Sequence, residues 1–126
     1  MARRKSGKLS VFKGREAKLN YAIFHILALK GPQTIYDIHK TVKTRRKLRH
    51  VRYASVNKRV RALEKSGCIK KTGAKKTKAG FKASIYELTT RAYLAILLNF
   101  INLDRLVMRV NEEIASAILA IIASTT

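Results

Sequence analysis

Apolar residues fall along this chain in short stripes whose spacing changes from helix-like to strand-like and back. Over residues 15–30, Leu19, Ile23, Ile26 and Leu27, with Tyr21 and Phe24, recur at intervals of three and four and predict a helix with a wide buried stripe. Gly31 and Pro32 end that pattern. Thr34 is then placed to cap a second helix, with Asp37 three positions on in a capping-box-like arrangement and Ile35, Ile38 and Val42 facing the core. A third stripe, Val56, Val60 and Leu63, predicts a helix over residues 53–66. Lys58, Arg61 and Lys65 point the other way, and Gly67 stands where a left-handed helix end costs glycine little.

Beyond Gly67 the period shortens. Residues 69–72 and 83–88 are rich enough in β-branched and aromatic side chains to pair as a hairpin. Between them Gly73 and Gly80 bracket a loop with Lys75, Lys76 and Lys78 at its tip, Lys82 just after, and no acid to neutralise them. From Thr90 onward the pattern is helical again, with an excess of apolar positions from Leu94 to Ile122 that one small domain does not need. Residues 1–13 are too polar and charged to pack and are expected to form a flexible basic arm, the last stretch of which, residues 9–12, could pair as a short edge strand. The expected fold is mainly α with a small β-hairpin wing (α+β): an arm over 1–13, a three-helix and hairpin domain over 14–89, and a helical segment over 90–126.

Charge sharpens this division. The net charge is +21 over 126 residues, a field that gathers polyanions such as nucleic acid or an anionic membrane surface. Residues 1–82 hold 25 of the 28 Lys and Arg and three of the seven acids, a balance of +22; the remaining 44 residues carry three bases and four acids, a balance of −1. One region of the chain is built to meet an anion.

Other classes fare badly. The apolar runs 93–98 and 114–122 are shorter than the ~20 residues needed to cross a bilayer, and Asn99, Asn102, Asp104 and Arg105 interrupt any longer reading. The N-terminus has no apolar core of a signal peptide. A lone cysteine, Cys68, excludes an internal disulfide and fits a reducing cytosol, its simplest role being a small buried hydrophobe. His25, His39 and His50 are scattered, while Glu112 and Glu113 are adjacent and so diverge on a helix. With no phosphate-binding glycine loop and no nucleophile elbow, neither an enzyme, a cofactor nor a metal is expected.

A helix that reads DNA needs an apolar seat, a polar face that reaches base edges, and cations on either side for phosphates. Ser55, Asn57, Lys58 and Arg61 are the groove-facing candidates, with Tyr53 at the start of the helix. Asn57 can bond adenine and Arg61 can fork onto guanine. The joint before this helix, residues 41–52, is either a long basic turn or a frayed helical continuation, and it carries six Lys or Arg, of which Arg45, Arg46, Lys47, Arg49 and Arg52 are candidates for phosphate. Lys75, Lys76, Lys78 and Lys82 of the wing would supply grip without reading sequence. Arg3, Arg4 and Lys5 of the arm would sweep a minor groove or stay solvated.

The order helix, helix, basic helix ending LEKSG, strand, lysine wing, strand ending YELT resembles the winged-helix transcription regulators of the PadR and MarR type. The resemblance spans residues 16–95 and is most specific in VRALEKSGCI at 60–69 and IYELTTRA at 85–92. Ala92 stands where those families carry a glycine, and the basic joint at 43–52 is longer than usual. The resemblance implies a homodimer formed through helices outside the winged motif, which agrees with the apolar surplus after Thr90. Leu98, Ile101, Leu106, Val110, Ile114 and Ile118 are the expected interface, unless they complete a larger intramolecular core.

The leading expectation is therefore a sequence-specific double-stranded DNA-binding regulator, homodimeric and cytoplasmic or nucleoid-associated. Two alternatives stay open: an architectural protein that coats DNA without reading it, and an RNA-binding winged-helix module. No polar cluster in the sequence marks an effector pocket.

Overall fold

The computed structural model describes residues 9–125, so Arg3, Arg4 and Lys5 lie outside the described residues. Helix α1 (Ala17–Lys30) is the centre of the fold. Its buried positions, Leu19, Asn20, Ala22, Ile23, Phe24, Ile26 and Leu27, span far more than one narrow stripe, because the other helices and the sheet pack around it. Strand β1 (Gln33–Thr34) follows at once and runs into α2 (Ile35–Val42), which presents Ile35, Ile38 and Val42 to the core. The Thr34 hydroxyl caps α2 as the sequence suggests, accepting the Asp37 N–H at 3.1 Å. The Asp37 carboxylate does not complete a capping box; it reaches Lys75 Nζ at 3.3 Å instead.

The joint before the third helix is the long basic turn, not a helical continuation. It holds a single 3-10 turn, Arg46–Leu48, after which α3 (Tyr53–Lys65) begins. Val56, Val60 and Leu63 of α3 are all buried. Its end is a Schellman motif: Cys68 N–H bonds Leu63 O at 2.9 Å, Gly67 N–H bonds Glu64 O at 3.0 Å, and Gly67 takes φ 86°. A Cβ on Gly67 would also fall 2.6 Å from Arg91 Nη1, which itself donates to Ser66 O at 3.1 Å. Cys68, next in the chain, is buried in the core.

Strands β2 (Ile69–Lys76) and β3 (Lys82–Leu88) form an antiparallel hairpin, and β1 pairs with β3 on its other edge, giving the order β1-β3-β2. The hairpin is longer than the expected 69–72 and 83–88, for a local reason. A bulge at Thr72 lets the ladder resume, Gly73 facing Ile85, and pairing continues to Lys76 opposite Lys82. Ile69 and Leu88 anchor one end in the core, while residues 70–82 are exposed.

Residues 9–13 are not a loose arm. Residues Ser10–Phe12 make a 3-10 turn rather than the expected edge strand, and Phe12 is buried with edge contacts to Tyr21 and Phe24. Asn20 Nδ2 holds this turn by donating to Val11 O at 3.0 Å. Past the sheet come three helices: α4 (Thr90–Phe100), α5 (Leu103–Arg109) and α6 (Glu112–Ser124). Each starts at a side-chain cap, with Thr89, Asn102 and Asn111 accepting the N–H groups of Ala92, Arg105 and Ile114. Ala92 and Ala95 bury one side of α4, whereas α5 and α6 bury no residue at all.

Candidate nucleic-acid interface

On α3 the buried stripe of Val56, Val60 and Leu63 fixes what the outer face must be. With 100° per residue, Ala54, Asn57, Lys58, Arg61 and Lys65 form a single outer stripe, flanked by Tyr53 on one side and Ser55 on the other. All are exposed except Asn57, which is half-buried, and Arg61 Nε lies 3.5 Å from Asn57 Oδ1. Their long contact leaves both free to bond elsewhere. Ala54 sits at the centre of the stripe, and its small side chain removes any obstacle to close approach by a groove floor. That is a residue composition alone does not single out, since only the helical angle gives it meaning.

The start of α3 is held in place. His39 Nε2 donates to Val51 O at 2.9 Å, and its ring meets Tyr53 edge-on at 5.7 Å between centroids. From the other side, Arg59 Nε donates to Asn20 Oδ1 at 3.1 Å, tying α3 to α1 through a buried amide. Two of the histidines are thus engaged in the fold, His39 here and His25 below, and His50 is exposed. Among the described residues no group of three or more His, Cys, Asp and Glu is arranged to hold a metal.

The linker cations divide. Arg46, Lys47, Arg49 and Arg52 are exposed, but Arg45 is half-buried and its Nη2 donates to His25 Nδ1 at 2.8 Å. Arg45 is therefore a strut between the turn and α1. Arg45, Arg46 and Lys47 also border a cleft of about 500 Å³, which Phe12, Tyr21 and Phe100 line from the turn, α1 and the end of α4.

In the wing the first half of the expected loop, residues 73–76, is strand. Lys75 and Lys76 lie in β2 and Lys82 opens β3, leaving Lys78 alone of the four in the tip. Nor is the lysine cluster free of acids, because Asp37 of α2 pairs with Lys75. Lys76, Lys78 and Lys82 are exposed. The tip also carries Phe81, 72% exposed, which a count of charges passes over. On α2, Tyr36 is likewise exposed, with Lys40 Nζ 5.4 Å from its ring centroid.

In the segment after the sheet, Leu98, Ile101, Ile114 and Ile118 are exposed, and Leu106 and Val110 are half-buried. None of the six completes the core. Leu97, Leu119, Ile121 and Ile122 are more exposed still. Among the described residues no helix is long and apolar enough to cross a membrane.

No family model matches the sequence, and no curated protein matches it. Among solved structures, diamide-treated YodB from B. subtilis is similar at TM-score 0.53 and 19% identity, over 71% of this chain and 76% of that one. A ZitR mutant from Lactococcus lactis in apo form is a looser match, at TM-score 0.41 and 18% identity over 86% of this chain and 81% of that one. The likeness to YodB is one of fold, and it agrees with the order of elements: three helices, a hairpin wing and a helical extension make this chain a winged helix-turn-helix.

Proposed function

We propose that this protein is a double-stranded DNA-binding transcription regulator of the PadR and MarR type, working as a homodimer. Helix α3 lies in the major groove, and the β2–β3 hairpin meets the backbone or minor groove. The observation that carries the reading is the outer stripe of α3. Asn57 and Arg61, two side chains able to bond base edges in pairs, stand on a rigidly seated helix beside Lys58 and Lys65. Ser55 and Tyr53 border the groove, and Arg46, Lys47, Arg49 and Arg52 hold phosphates. The helices after Thr90 carry the second copy. Twofold symmetry would then set the two α3 helices about 34–36 Å apart, and the operator would be palindromic.

Selection of bound duplexes from a random pool, followed by titration at two salt concentrations, tests this. The selected site should bind on the order of 10³-fold or more tighter than random duplex. Arg61→Ala should relax preference at particular base pairs. Replacing Lys76, Lys78 and Lys82 together by alanine should weaken binding to every sequence alike and lower the salt slope by roughly 0.9 per lost phosphate contact. Equal affinity for all duplexes would favour an architectural role, and preference for duplex RNA would move the protein to another class.

A further inference from the structure

We infer that Phe81 is a wedge that the wing drives between stacked base pairs, so that this protein bends the DNA it binds. The inference rests on the reading of the hairpin as a DNA-facing wing and adds an activity to it.

Phe81 is 72% exposed at the end of a hairpin whose other end is fixed in the core through Ile69 and Leu88. Ile69 and Lys76 stand seven steps apart along β2, which carries the tip about 24 Å out at roughly 3.4 Å per step. An aromatic ring there contributes nothing to the domain's own packing. The tip is nonetheless stiff. Thr77 N–H donates to Phe81 O at 2.7 Å, Phe81 N–H donates to the Thr77 hydroxyl at 3.2 Å, and Gly80 N–H donates to Thr77 O at 2.9 Å. Gly80 permits the closure by taking φ 90°. A side chain that must pry stacked bases apart has to be held against recoil, and these bonds hold it.

The charges around the ring indicate what it meets. Lys76 and Lys82 are paired directly across the strands, an arrangement that like charges make unfavourable in water. Lys78 lies between them in the turn. Three exposed cations around one exposed apolar ring match a polyanion with an apolar interior, and a DNA duplex has phosphates outside and stacked bases within. Apolar wedges flanked by cations are a means by which minor-groove proteins unstack a base step and kink the duplex. Flexible pyrimidine–purine steps such as TA yield most easily.

The test uses the full chain and short duplexes, each with one TA step carrying 2-aminopurine, and with donor and acceptor dyes at the ends. The wild-type protein should raise 2-aminopurine fluorescence on binding and bring the ends closer, for a bend within about 20–90°. Phe81→Ala should still bind, with affinity reduced by no more than roughly tenfold, but with both signals lost. Phe81→Leu, which keeps an apolar wedge, should retain most of each. Unchanged bending and fluorescence in Phe81→Ala would overturn the wedge and leave the DNA-binding reading standing. Failure of the wild-type protein to bind any duplex would overturn both. Binding to vesicles of phosphatidylserine and phosphatidylcholine that Phe81→Ala abolishes, with DNA bending unaffected, would assign the ring to a membrane surface instead.

Discussion

The winged domain and the helices that follow it solve opposite problems with similar material. Between Phe12 and Ala95 the chain buries its large aliphatic and aromatic side chains around α1 and turns its cations outward. After that point the composition is still apolar, but of the eighteen exposed large apolar side chains among the described residues, twelve lie between Leu97 and Ile122. The first region is complete and charged; the second is nearly neutral and unfinished. The difference teaches where each kind of partner can approach. In the proposed dimer, a polyanion would be drawn to the first, whereas a second copy, itself strongly positive, would approach most easily through the second, where its twin carries almost no net charge.

The contrast breaks most plainly in the core. Phe24 is fully buried, so Phe24→Ala should cost about 3–5 kcal/mol in denaturant unfolding, close to the whole stability of a domain this size. A loss near that of a surface substitution would mean that α1 is not the centre of the fold.

In the second region the same chemistry should behave differently. Ile114 and Ile118 are 49% and 38% exposed, so replacing both by aspartate should leave the monomer's unfolding nearly unchanged. Dimerisation should weaken by about 3 kcal/mol or more, roughly a hundredfold, since each isoleucine fully buried in an interface contributes about 1.5–3 kcal/mol. Sedimentation at graded concentrations reads this directly. If the doubly substituted chain remains dimeric, the second copy sits elsewhere.

Inside the first region, the neighbourhood of Gly67 joins α3 to the start of α4, the helix that leads into the second, through Arg91 and through Thr89 Oγ1 donating to Gly67 O. Gly67→Ala meets a left-handed backbone and a crowded guanidinium together, and should cost about 1–2 kcal/mol in thermal or chemical unfolding. Because Arg91 is exposed and can withdraw, a further Arg91→Ala change should recover only the steric share.

How much of this is legible in sequence depends on distance along the chain. The stripe on α3, the Thr34 cap and the glycine at 67 are local signals, and each marks its element to within a residue or two. The wing exceeds its expected length because a bulge at Thr72 keeps the ladder going through Gly73, and residue propensity does not encode a bulge. Phe12 reads as arm because one aromatic in a basic stretch has no periodicity, although Tyr21 and Phe24 are ready to receive it. Charge alone groups Arg45 and Lys75 with their neighbours; their partners, His25 and Asp37, lie 20 and 38 positions away. Exposure on α4 to α6 is foreshadowed as a surplus, because the count of apolar positions exceeds what one core can take.

The smallest predicted effect concerns the second of those pairs. Asp37 is bonded to Lys75 of the wing, at 3.3 Å, with the side chains 31% and 56% exposed. An ion pair so open to water is worth about 0.2–1 kcal/mol, so Asp37→Asn should barely move the unfolding midpoint, and the Thr34 cap on the same turn remains. Its effect should appear in DNA binding with the opposite sign to an ordinary loss of contact. Freed from Asp37, Lys75 can turn to a phosphate, which should tighten binding severalfold at low salt and steepen the salt slope by up to about 0.9. In a Lys75→Ala background the same change should do much less, leaving only the removal of a negative charge near the duplex. If Asp37→Asn tightens binding equally with and without Lys75, the carboxylate acts by simple repulsion. The pair would then be no latch on the wing, and Lys75 would rejoin Lys76, Lys78 and Lys82 as one more freely available cation.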